Sequence, residues 1–376
     1  MSQRMTHHLH LMLLVGDTVP APAPAALVDA LHGVRITSAS GRTNGFQLTF
    51  AAGAGSPSAG AVGPGGALYV KKRVVVAVVL AGRCHVLMDG VVTHQELHAG
   101  RAPGASFLVV TGEDLTVLMD LRHVRRAYPG LPPQLRATAV CAGYAQYGIT
   151  PRAVAPVLTD QPNPVIDIPV QSATDLAYLR AMAADVGHVF HLEPGPAPGV
   201  STAYWGPQHR EGALQPALTT GCGAADNVEE LTFSFDGLAA SGYSVDRLEP
   251  PSTTASEVTA PDPGVLRKSL AASPAEALRT GALTGQTGRS LTRTLLAGLG
   301  REVAADAVTG RGTVDVLRYG HVLAAHGLVG VRGAGRAYDG RYFVAAVTHD
   351  LTRDTYRQHF ALVRDGLGAD TQAVTA

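Results

Sequence analysis

The sequence predicts a mainly β fold of the α+β class, in which two strand-rich regions flank an α/β insert. Short apolar runs with period-two alternation recur before residue 130 and again after residue 228. The clearest helical patterns lie between them. The chain has 376 residues, 46% hydrophobic and 16% charged, which is a folded composition long enough for two or three separate cores.

Taken in order, Leu9–Val15 reads as the first strand, followed by Val34–Ser38 and Gly45–Phe50, where Phe46, Leu48 and Phe50 share one face. The stretch 51–67 holds Gly, Ala, Ser, Pro and Val without a charge and reads as a flexible loop or linker. Val70–Leu80 is rich in β-branched residues. Asp89-Gly90 between the runs His85–Met88 and Val91–Leu97 predicts a hairpin turn. Phe107–Thr111 is a further strand, and Asp114–Arg126 turns helical, with Leu115, Leu118, Met119 and Arg122 at helical spacing. The first 130 residues therefore predict a small barrel or sandwich.

In the middle, Pro132-Pro133 opens a helix over Leu135–Tyr147, stopped by Gly148 and Pro151. A second helix spans Ser172–Gly187, with Ser172 as N-cap, Asp175 in the first turn and Gly187 at the C-terminal end. Its apolar stripe is Leu176, Leu179, Met182, Ala183 and Val186, and His188–Leu192 follows as a strand. Strands return with Leu231, Phe233 and Phe235 in alternation. A Pro/Ser/Thr/Ala linker over 250–263 and a helix over Leu291–Ala305 precede strands at Thr313–Arg318 and Gly327–Val331. A long hairpin closes the pattern, Tyr342–Leu351 and Thr355–Val363 around Arg353-Asp354. Phe343, Ala345 and Val347 share a face of its first arm, and Tyr356, Phe360 and Leu362 give an apolar face to the second.

Charge is balanced, 30 Lys+Arg against 30 Asp+Glu, which gives no sign of a nucleic-acid groove or an anionic membrane surface as partner. The three cysteines, Cys84, Cys141 and Cys222, are widely spaced without a C-x-x-C pair, so neither a disulfide framework nor a zinc ribbon is expected. The apolar run after Arg4 is short and interrupted by His10, a poor secretory signal, and no segment approaches the ~20 apolar residues of a membrane helix. A soluble, cytoplasmic protein without membrane insertion is expected.

No constellation carries chemistry. His94-Gln-Glu96-Leu-His98 places its Glu one position late for a zincin, and on a strand the three side chains share a solvated face. His7, His8 and His10 sit at a terminus, and His321 and His326 lack ligand company at useful spacing. Gly330–Gly335 precedes a strand and so lacks the helix N–H groups of a phosphate cradle. Cys141 lies within a predicted helix as a core residue. Glu113-Asp114 and Glu229-Glu230 are adjacent pairs that read as solvated turn charges, and Tyr204-Trp205 reads as a packed strand end. Catalytic, cofactor-binding and metal-binding residues are accordingly expected to be none, and no cofactor is expected.

Four segments, in order, resemble the baseplate hub family of contractile injection systems and phage tails that includes phage late control protein D and the hub part of VgrG. They are Val110–Asp120, Asp175–His191, Thr202–Pro207 and Tyr338–His349 with the arm through Phe360, Leu362 and 364–368. The resemblance implies a first β-barrel tube domain over 1–130, an α/β insert domain over 131–215 and a second β-barrel tube domain over 216–376. It implies a homotrimeric ring that adapts a threefold spike to a sixfold inner tube, and no enzymatic activity. Implied partners are a separate spike protein of OB/β-helix type, the inner tube or tube-initiator protein, and baseplate wedge and LysM-type adaptor proteins. VgrG-type proteins continue into an OB domain and a spike, whereas this sequence runs about a dozen residues past its last predicted strand, so the spike is expected on another chain. The competing readings are a cell-wall hydrolase with an unfamiliar site and a secreted β-rich binding module.

Overall fold

The computed structural model describes residues 2–6, 9–53, 55–102, 104–157, 164–165, 168–248, 255–259, 267–282 and 306–369. The fold is mainly β with few helices. One hydrogen-bonded path joins both strand-rich regions. It runs Ser2–Thr6, Leu9–Gly16, Arg73–Leu80, Arg83–His98, Phe107–Asp114, Gly45–Ala51, Leu31–Ala39, Gly340–Thr352, Tyr356–Arg364, Val308–Asp315 and Glu230–Phe235. Leu328–Arg332 pairs with Gly340–Thr352 and carries Leu214–Thr219 on its other side. The join between the regions is antiparallel, Ala346 opposite Ala39 through Thr352 opposite Gly33. Arg35 Nε donates to Asp350 Oδ1 across it at 2.7 Å. Among the described residues the path does not close into a barrel.

Alternation fixes the faces. In Gly45–Ala51, Phe46, Leu48 and Phe50 are buried, and in Leu9–Gly16 the odd positions Leu9, Leu11, Leu13 and Val15 are buried. They form one core with Val74, Val76 and Val78, which Val316, Leu351 and Tyr356 of the far end of the chain complete. A second core joins Leu115, Val140, Leu179, Phe190 and Trp205, and a third joins Val308, Val329, Tyr342, Val347, Phe360 and Leu362. Several short stretches differ from the sequence expectation.

Asp89-Gly90 is not a turn: Arg83–His98 runs straight through it. The hairpin turn is Ala81-Gly82, both at positive φ, the geometry of a two-residue turn. Gly90 is required for close packing, since a Cβ there would meet the Glu113 carbonyl oxygen at 2.2 Å. The stretch 51–67 holds a short helix, Pro57–Ala61, with Ser58 Oγ donating to the Ala51 carbonyl at 2.8 Å and Ala61 in the core. Asp114–Arg126 is a 3-10 turn, Leu115–Met119, followed by the strand His123–Ala127, whose backbone is taken up by Val170–Thr174. Ser172 belongs to that ladder, so the cap of helix Asp175–Ala184 is Thr174, which accepts from Ala177 N at 3.2 Å.

In the closing hairpin a bulge between Val344 and Ala346 changes the phase of Gly340–Thr352. Phe343 and Ala345 pack with Leu270 and Leu328, whereas Val347 joins Tyr342 and Val344 in the third core. Within 250–263, Ala255–Thr259 is a strand paired with Ser241–Leu248. Val308–Asp315 stops as a strand at Asp315, whose Oδ1 caps the short helix Val316–Tyr319. The helix expected over Leu291–Ala305 lies outside the described residues, as do His7 and His8.

The insert lies on the helices Pro133–Ala142 and Asp175–Ala184 and a three-stranded sheet, Ile149–Ala153, Ser201–Gly206 and Val189–Pro194. The first two of these strands are parallel, so the chain must cross over between them, and Asp175–Ala184 lies in that crossover.

Candidate functional site

The residues that sequence reasoning singled out are dispersed. His94, Glu96 and His98 are exposed on the outer part of Arg83–His98, where His98 stacks on Phe107 with ring centroids 4.4 Å apart. His321 is exposed and His326 buried. Gly333 and Gly335 make a positive-φ turn into the strand Gly340–Thr352, with Ala334 N donating to Asp339 Oδ1 at 2.8 Å. Cys141 is buried in its helix, and burial pushes its thiol up to about 12, which removes nucleophilicity. Asp114 departs from expectation: it is buried, accepts from Thr116 N at 2.9 Å and caps the 3-10 turn. Glu229 pairs with Arg357 at 3.1 Å. Trp205 is fully buried, donates to the Leu179 carbonyl at 3.2 Å and meets the His188 ring edge-on at 4.7 Å. Among the described residues no group of three His, Cys, Asp or Glu side chains could hold a metal ion. No helix among them is long and apolar enough to cross a membrane.

Two polar constellations escaped sequence reasoning, and both join parts of the fold. The first is Arg73 with Asp89, on neighbouring strands and both buried. Arg73 Nη1 also donates to the Thr18 carbonyl at 2.6 Å, and Nη2 donates to the Tyr147 carbonyl at 2.8 Å. This one guanidinium therefore ties the first sheet to the insert. Burial raises the Asp89 carboxyl above its ordinary range, and Arg73 and Ser201 pull it partly back. A lone Asp inside Leu87–Val92, and the Arg that directly precedes Val74–Val79 after Lys71-Lys72, were the available signal.

The second constellation lies where the insert meets the closing sheet. His191 stacks on His326 with centroids 4.0 Å apart and an interplanar angle of 11°. His191 Nε2 lies 3.1 Å from Glu193 Oε1, and His209 Nε2 lies 3.8 Å from the same oxygen. An open cavity of about 370 Å³ borders this joint, walled by His85 of the first sheet, Glu193 of the insert and His326 and His349 of the closing region. Among the described residues that line the cavity, no nucleophile is hydrogen-bonded to a base.

No protein-family model and no curated protein matches the sequence. Solved structures do share the fold. The tail protein from Neisseria meningitidis superposes with a TM-score of 0.62 at 16% identity, covering 96% of this chain and 98% of that one. The 43 kDa tail protein of a Shewanella oneidensis prophage gives 0.60 at 14% identity, covering 94% and 98%. An E. coli component of the type VI secretion system, described as structurally similar to T4 bacteriophage tail proteins gp27 and gp5, gives 0.54 at 11% identity, covering 89% and 73%. The fold is thus shared with phage tail proteins and with a type VI secretion component.

Proposed function

We propose that this chain is the structural hub of the baseplate in a contractile injection system or phage-tail-like particle, a homotrimeric ring between a threefold spike and a sixfold inner tube. The observation that carries the reading is the fold likeness to the Neisseria tail protein, which extends over nearly the full length of both chains. In this reading residues 1–130 and 216–376 are the two tube domains and 131–215 the insert, so that three copies present six tube units to the inner tube. The edges of the strand path supply a physical reason to assemble. Ser2–Thr6 and Glu230–Phe235 each have one strand neighbour among the described residues, and Phe235 and Leu238 are exposed beside the second edge. Such edges are covered in a ring. Cyclic symmetry closes that ring with a single heterologous contact, which should bury well over ~1,000 Å². The further partners are a separate spike protein, the tube initiator, and wedge and LysM-type adaptor proteins.

The test is copy number and position in the assembled particle, by electron cryomicroscopy and quantitative mass spectrometry. Three copies between spike and tube are expected. Six copies, or a position on the sheath exterior, would overturn the assignment.

A further inference from the structure

We propose that His191, His326, Glu193 and His209 form an acid-sensitive latch. It holds the insert against the closing sheet at neutral pH and releases it reversibly as the pH falls below about 6, where imidazoles gain charge.

The geometry places the latch across a joint. His191 and Glu193 lie on the insert strand Val189–Pro194, and His209 follows the insert strand Ser201–Gly206. His326 belongs to the loop that enters Leu328–Arg332 of the closing sheet. Its backbone is pinned there, with its N–H donating to the Val344 carbonyl at 2.9 Å, and it holds φ at +64°, one of only three non-glycine residues at positive φ among those described. A side chain held in this backbone region is tolerated where the surroundings determine it. Here the surroundings are the His191 ring.

His326 is 9% exposed, and neither ring nitrogen has a hydrogen-bond partner among the described residues. A neutral imidazole tolerates this site and an imidazolium does not, because burial removes water from its charge. Burial, with the neighbouring imidazoles, depresses its affinity for a proton to about 3. His209 is likewise lowered by burial, against the pull of Glu193. Burial raises Glu193, but its hydrogen bond to His191 and the neighbouring imidazoles outweigh this and hold it lowered.

The charge balance decides the direction. Glu193 supplies one negative charge to the three imidazoles. It can compensate one imidazolium, and a second would stand stacked at 4.0 Å without compensation. Among the described residues, the other groups facing the set add no negative charge. From Ile149–Ala153, the Arg152 guanidinium carbon stands 5.6 Å from the Tyr204 ring centroid, and Tyr204 lies between His191 and His209. Across the cavity stand Cys84, His85 and His349, and His85 itself faces Arg83 and His321. Opening the joint hydrates His326 and restores its ordinary proton affinity. By linkage, each imidazole that binds a proton only in the open form favours that form about tenfold per pH unit below its open-state value. The cavity provides the water path by which protons reach the joint.

The experiment places a fluorescent donor and acceptor on opposite sides of the joint, at Ala181→Cys of the insert and Arg336→Cys of the closing sheet, in a full-length chain carrying Cys84→Ser and Cys222→Ser. Energy transfer is followed from pH 8 to 4.5, with far-UV circular dichroism to confirm that the fold persists. Transfer should stay constant to about pH 6.5 and then change reversibly. Glu193→Gln removes the compensating charge and should move the midpoint to higher pH. His326→Phe keeps a flat ring without a proton site and should move it to lower pH, by about half a unit or more in each case. If His326→Phe does not fold, His191→Phe takes its place. Unchanged transfer in the parent chain down to pH 4.5, or shifts of the same sign in the two variants, would overturn the latch.

Discussion

Arg73 and Asp89 face each other across neighbouring strands in a two-pronged ion pair, Nε to Oδ1 at 2.7 Å and Nη2 to Oδ2 at 2.6 Å, with both side chains almost without solvent contact. Their pairing explains why a sequence motif typical of turns lies in mid-strand. Asp89 has a buried cation to satisfy and Gly90 leaves room for the adjacent strand, so the chain continues extended through both.

Removing one partner strands the other. Asp89→Ala leaves a buried guanidinium without its counter-ion and should cost about 3–5 kcal/mol. Chemical denaturation at pH 7.5 measures it. A loss under about 1 kcal/mol would mean that water reaches Arg73 and solvates the charge.

Phe360 is the wide side chain of the third core and is 4% exposed. Phe360→Ala should cost about 3–5 kcal/mol, the sum of lost transfer energy and the cavity left behind. The opposite change tests the same contact. A Cβ at Gly312 would come within 2.6 Å of the Phe360 ring and 2.4 Å of the Glu230 carbonyl oxygen. Gly312→Ala should therefore destabilise by about 1–3 kcal/mol through overpacking, and a neutral result would refute the register between these strands.

Protonation of the buried imidazoles should weaken the fold in acid. His349 is buried, its Nδ1 2.7 Å from the Tyr356 hydroxyl and 3.2 Å from Gln358 Nε2, and burial lowers its pKa to about 4. His188, beside Trp205, is likewise lowered to about 4 by burial. The folded state keeps these imidazoles neutral while the unfolded chain protonates them near its ordinary value of about 6.5. Their stabilisation is thus complete above that value and is lost as the pH falls toward 4, by up to about 1.4 kcal/mol per group per pH unit. Urea unfolding at pH 7.5 and pH 5 checks the sign, and His349→Gln should flatten part of the slope. Equal or greater stability at pH 5 would contradict it.

Replacing His94, Glu96 and His98 together by Ala should change stability by no more than about 0.5 kcal/mol per site, since all three are exposed. Particle assembly should persist. Stoichiometric metal in the parent protein, lost together with assembly in the triple variant, would show that these residues bind a metal ion.

The strand-rich ends, the helical middle and most buried faces are legible in the sequence, because period-two and helical spacing are local consequences of backbone geometry. Phe46, Leu48 and Phe50 show it, as do Leu176, Leu179 and Met182. The rest is set where residues distant in sequence compete with a local preference. Asp89-Gly90 gives up its turn to Arg73, Ser172 gives up its cap to a ladder with Arg125, and Val347 changes face at a bulge. The pairing of Leu31–Ala39 with Gly340–Thr352, and the stacking of His191 on His326, have no local signal at all. Both bring together groups more than a hundred residues apart, and burial that removes water from all of them at once is what gives such contacts their energy.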